Sequence, residues 1–181
     1  MIRHPASFPP ASFLPASFLH GRAWAAFLFV GLAASAAHSQ VLVTHRDLSG
    51  AGARIIAERA LACAEGHGWQ VSVTVLGRDG QEMAYLRSTD ANPHTYDNSH
   101  RKAFTARTFR STSAEFGAAI AKNPGRAAQA LLPDVTTAAG GVPIMAGAEV
   151  IGGIGVSGSP GGENDELCAR EGISAVAEQL K

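Results

Sequence analysis

The side chains best equipped for chemistry are gathered between Tyr96 and Phe109, in YDNSHRKAFTARTF. If this stretch is helical, residues three or four apart share a face. His100, Phe104 and Arg107 then line up, as do Arg101, Thr105 and Thr108. Ala103 and Ala106, with Tyr96 and Phe109, are expected to face the core. An imidazole beside an aromatic ring and a guanidinium suits a porphyrin: the imidazole ligates iron, the ring packs on the macrocycle, and Arg or Lys pairs with a propionate. The same spacing also describes a solvated helix face with one surface His. His94 lies just before this helix, and His45 and His67 sit at the ends of an earlier one. No two histidines beyond residue 39 have chelate spacing on one helix, and no HExxH occurs, so no structural zinc site is expected.

A second motif is Gly153-Ile154-Gly155-Val156-Ser157-Gly158, which fits G-x-G-x-x-G between a strand and a helix. A dinucleotide fold needs a following parallel strand with an acid near its end. Only about 23 residues remain here, filled by one helix. The better reading is that the glycines let a helix or a second subunit approach the sheet closely. A third is that the loop's N–H groups and the start of the last helix hold an anion such as a propionate. Ser157 lies in G-V-S-G and lacks the G-x-S-x-G elbow of a hydrolase. Asp165 and Glu166 read as first-turn residues of the last helix, and Asp79 as a turn residue, so no acid/base pair stands out.

The elements that position these residues follow from periodicity. Thr44 to Glu65 is expected as a helix capped by Thr44 and ended by Gly66 and Gly68. Gln70–Leu76 and Gln81–Arg87 read as strands around an Asp79-Gly80 turn. Helices over Tyr96–Thr108 and Ser111–Ala121 come next, then a break at Asn123-Pro124-Gly125 and one further turn over Ala127–Leu132. Val135–Ala138, Val142–Ala146 and Glu149–Val156 are strand candidates, and Asn164–Leu180 is the last helix, capped by Asn164. Strands joined by short turns are antiparallel. The expected fold is therefore α+β: a five-stranded antiparallel sheet flanked by helices, with the first and last helices packed together.

The 181 residues suggest one domain behind a leader. Residues 1–39 are expected to be a signal peptide with low-complexity sequence. PASF recurs at Pro5, Pro10 and Pro15, and Ala23 to Ala37 is an apolar run ending in small residues. A retained N-terminal anchor is the alternative. Taking away Arg3 and Arg22 leaves 13 basic and 15 acidic residues over 40–181, a net charge of −2. That balance gives no basic footprint for nucleic acid. Export to the periplasm or exterior permits a disulfide. Cys63 and Cys168 fall near the facing ends of the first and last helices, so they are either bonded or two buried thiols.

Five segments in order resemble the HbpS/GlcG-like haem-binding family. They are VSVTVLGRDGQEMAYLRSTDA, SHRKAFTA, GGVPI, VIGGIGVSG and ENDELCAREG, and the likeness covers nearly all of residues 44–181. The resemblance implies a profilin- or PAS-like domain that forms homo-oligomers. It also implies haem as cofactor and, for secreted members, a membrane sensor as partner. Axial ligation through a Thr or a His is what the family suggests. Thr105, His100 and His94 are then the iron-ligand candidates, and Arg101 and Lys102 the propionate candidates. Where related chains carry R-x-D-G-A, this one has Arg87-Ser88-Thr89-Asp90-Ala91 and lacks the glycine. The absence of CxxCH makes any haem non-covalent. The rival reading is an enzyme acting on a small organic acid or aldehyde near Arg101, Lys102 and the Gly155–Gly162 loop.

Overall fold

The two faces of the sheet are written differently into its strands, and this sets the layers. The computed structural model describes residues 42–181, so the expected leader lies outside the described residues. Strands Ser72–Leu76 (β1), Glu82–Arg87 (β2), Gly141–Ala146 (β3) and Glu149–Ser157 (β4) form one sheet. Its order is β2-β1-β4-β3, antiparallel throughout. The helices are Gly50–Gly66 (α1), His94–Phe109 (α2), Ser113–Lys122 (α3) and Gly162–Ser174 (α4), with 3₁₀ turns at Pro124–Leu131 and Ala177–Leu180.

On one face, Val73 and Val75 of β1 and Ile154 and Val156 of β4 join Ile56, Ala60 and Ala169 in the core beneath α1 and α4. On the other, the alternate positions are Ser72, Thr74, Gly153, Gly155 and Ser157, and they meet α2. The hydroxyls of Ser72 and Thr95 lie 2.8 Å apart, as do those of Thr74 and Ser99. A Cβ on Gly155 would fall 2.0 Å from the Ser99 carbonyl oxygen, and one on Gly141 would fall 2.1 Å from that of Lys102. The α2 backbone therefore rests directly on the sheet, as the close-approach reading of the glycines expects.

The terminal helices do pack together. Cys63 and Cys168 are bonded, with 5.4 Å between their Cα atoms. Arg59 pairs with Glu171 across the same seam. A Cβ on Gly172 would sit 2.6 Å from the Ile56 carbonyl oxygen, so these helices approach backbone to backbone.

The sheet has four strands, not five. Val135–Ala138 is no strand because its polar backbone is taken by α2: Arg101 Nη2 donates to the Val135 carbonyl (2.7 Å), and the Thr136 N–H donates to Thr105 Oγ1 (2.9 Å). The first helix begins at Ser49, not Thr44. The Ser49 hydroxyl accepts from the Gly52 N–H, and buried Leu48 and Ala53 bracket the cap as a hydrophobic staple. The last helix is capped by Gly161 rather than Asn164, and it gives way to the 3₁₀ turn after Ser174. Thr112 caps α3 with a full capping box to Glu115.

Two outcomes test this layering. Gly155→Ala must push α2 off the sheet and should cost roughly 3 kcal/mol, read as a lower urea midpoint. Reducing the Cys63–Cys168 bond releases a long loop (sequence separation 105). It should lower stability by about 2–5 kcal/mol, read by thermal melts with and without reductant.

Candidate functional site

Helix α2 carries all five iron-ligand and propionate candidates, and its phase decides what each can do. It starts after Asn92-Pro93, where Thr95 Oγ1 donates back to the Asn92 carbonyl (2.6 Å). It ends at Arg110, which adopts a left-handed conformation with φ of 57°. The stripe facing the sheet is Thr95, Ser99, Lys102, Ala103 and Ala106, all buried. Tyr96, expected on the core side, is 51% exposed instead and meets Tyr85 edge-on with ring centroids 4.9 Å apart.

The outward stripe runs Tyr96, His100, Phe104, Arg107. The His100 and Phe104 rings lie nearly parallel, 14° between planes and 6.4 Å between centroids. Phe104 covers the β1–β2 turn, so that a Cβ on Gly80 would come within 3.3 Å of its ring. His100 is half-buried, and among the described residues its ring makes no hydrogen bond. Arg101 is also half-buried. It donates to the Val135 carbonyl and lies 3.9 Å from Asp97.

Two candidates sit inside the subunit. Thr105 is fully buried, and its oxygen accepts from the Thr136 N–H. Lys102 is 2% exposed, and Asp165 is 3% exposed. Lys102 Nζ donates to Asp165 Oδ2 (2.7 Å) and to the Val156 carbonyl (3.0 Å). Asp165 Oδ1 accepts from the Ser159 N–H (3.0 Å), so the carboxylate also pins the loop before α4. Asp165 is therefore more than a first-turn residue. The helical phase held the missed signal: Lys102 falls between Ser99 and Ala106 on the inward stripe, and a buried ammonium requires a buried partner.

His94 is exposed at the first residue of α2. It stands beside a cavity of about 310 Å³ lined by Asn98, Lys102, Ser157, Ser159 and Asp165. His94 and His100 are six positions apart on α2, roughly 120° around the helix and about 9 Å along it, so the two imidazoles cannot serve one iron. The fold thus divides the five candidates three ways: His100 and Arg101 outside, His94 at the cavity, Lys102 and Thr105 within.

These features define a small α+β domain whose central helix is seated on glycines and carries a mixed aromatic and cationic outer face. The chain belongs to the HbpS-like family: the family model described as haem degrading protein HbpS-like matches residues 48–174. It is similar to Protein GlcG of Escherichia coli (strain K12), with 33% identity over 94 residues, 52% of this chain and 69% of that protein. Among solved structures it resembles a double mutant of HbpS from Streptomyces reticuli at 35% identity and a TM-score of 0.72, covering 78% of this chain and 94% of that one. It also resembles the PduOC:heme complex at 25% identity and a TM-score of 0.65, covering 72% of this chain and 95% of that one.

Removing one member of the buried ion pair leaves the other charge stranded. Lys102→Met or Asp165→Asn should each cost about 3–5 kcal/mol in urea denaturation, whereas the double replacement Lys102→Met with Asp165→Leu should recover most of that loss.

Proposed function

We propose that this chain is an exported haem-binding module that holds haem non-covalently and works as a homo-oligomer. The observation that carries the reading is the His100 imidazole: accessible, without a hydrogen bond among the described residues, and flanked by Phe104 on a face shared with Tyr96. Membership of the HbpS-like family and the likeness to a haem complex support the same ligand class.

The residues present fit the group unevenly. His100 would supply the axial nitrogen, and Phe104 and Tyr96 the flat apolar contact. Arg101 gives one N–H to Val135 and keeps further donors for a propionate. Lys102 and Thr105 spend their polar atoms inside the subunit, so in this reading they place α2 and do not touch the ligand. Bound haem would supply an iron centre able to bind or exchange a further ligand. One helix face cannot enclose a porphyrin alone, so a second copy would provide the opposite wall; this supports the oligomer. The apolar run Ala23–Ala37 and the Cys63–Cys168 bond support export to an oxidising compartment, where the module would report haem to a membrane sensor.

A second reading, an enzyme acting on a small organic acid or aldehyde, draws support from the cavity beside His94. The amine within it is already committed to Asp165, which removes it as a free nucleophile. The haem reading is therefore preferred.

Purified protein titrated with hemin should show a saturable Soret shift at about one haem per chain or per dimer. His100→Ala should weaken binding by roughly tenfold or more and change the band position, while His94→Ala should leave both unchanged. A broad, non-saturating shift would overturn the proposal, and an unaltered spectrum in His100→Ala would overturn the ligand assignment.

A further inference from the structure

At the opposite end of α2 from His94, four arginines converge from three parts of the chain. Arg46 comes from the segment before α1, Arg78 from the β1–β2 turn, and Arg107 and Arg110 from the end of α2. With Glu149 and the Gly147 turn they line a cavity of about 660 Å³. The cluster carries four positive charges and one negative in a domain whose residues 40–181 are net acidic.

The cluster is held in place by its own backbone. Arg107 Nε donates to the Arg78 carbonyl, and Arg78 Nε donates to the Arg46 carbonyl (3.1 Å). Arg78 also pairs with Glu149. Among the described residues, the Arg46 and Arg110 side chains have no hydrogen-bond or ion-pair partner. The carbonyl end of α2 attracts cations, which accounts for Arg107 and Arg110 in part. It does not account for Arg46 or Arg78, which belong to other elements.

Arg110 adds an independent sign. Its φ of 57° puts it where helices usually end in glycine, because a side chain there is strained. Here the strained position carries an arginine that faces the cavity. Backbone strain of this kind is held by the surrounding structure and clusters at ligand clamps and other functional sites.

We infer that this cavity binds a small multivalent oxyanion, a di- or tricarboxylate or a phosphate ester. Guanidinium forks match the paired oxygens of both, and the cavity's size falls in the range of small-molecule sites. The site adjoins the His100 face through Arg107 but includes none of the five haem-contact candidates, and binding there does not require haem.

The test is isothermal titration of the haem-free full chain with citrate and, separately, with inorganic phosphate. Saturable binding by either anion, weakening as salt rises, is expected. Arg46→Ala should reduce the affinity about fivefold or more, and Arg110→Gly about tenfold. Arg110→Gly should at the same time raise the melting temperature by roughly 2–4 °C, because glycine relieves the left-handed backbone. That rise separates lost binding from lost folding. No saturable heat with either anion, or unchanged affinity in both variants, would overturn the site.

Discussion

The constraint on which everything else depends is the distance between α2 and the sheet. Gly153, Gly155 and Gly141 remove side chains where the helix backbone comes down, and the Ser72–Thr95 and Thr74–Ser99 hydroxyl pairs fill the remaining contacts. A polar seam of this kind has directional bonds, so it fixes both the height of α2 and its rotation. Rotation is what matters for chemistry: it turns Lys102 inward onto Asp165 and leaves His100 and Phe104 outward. The valine-rich opposite face supplies most of the apolar burial, which allows the α2 face to be spent on specificity.

Much of this was legible in the residues. Val73 and Val75 alternating with Ser72 and Thr74 located β1, and Asp79-Gly80 located the hairpin turn. The glycines of β4 were readable as a close approach rather than a nucleotide loop, because too little chain follows them for a second parallel strand. The cysteines were readable as neighbours once the terminal helices were taken to pack together. What was not legible depended on contacts between distant segments. Val135–Ala138 has strand-like residues, but Arg101 and Thr105 capture its backbone. Thr44 is a good cap in isolation, and buried Leu48 moves the start to Ser49. At the site, the alignment of His100 with Phe104 followed from helical spacing. The partner of Lys102 lies 63 residues away, and no local pattern names it.

The buried ion pair shows how these layers communicate. Asp165 joins Lys102 of α2 to the Ser159 backbone at the entrance to α4. Helices on opposite faces of the sheet are thereby tied through one carboxylate at the C-terminal end of β4. The tie explains why a helix of modest intrinsic propensity, with Thr95, Ser99 and Thr105 in its interior, keeps a single register. It also gives the cavity beside His94 a polar floor whose atoms are already bonded to one another.

The Cys63–Cys168 bond has a topological meaning beyond stability. It turns most of the domain into a covalent ring, with the stretch around Leu131 and Leu132 exposed at its far side. A protease that cuts there opens the ring but frees no fragment, since both halves stay joined through sulfur. A nicked molecule would keep its helices, its sheet and the outward face of α2 in one particle, so a single cut would go unseen by size under non-reducing conditions.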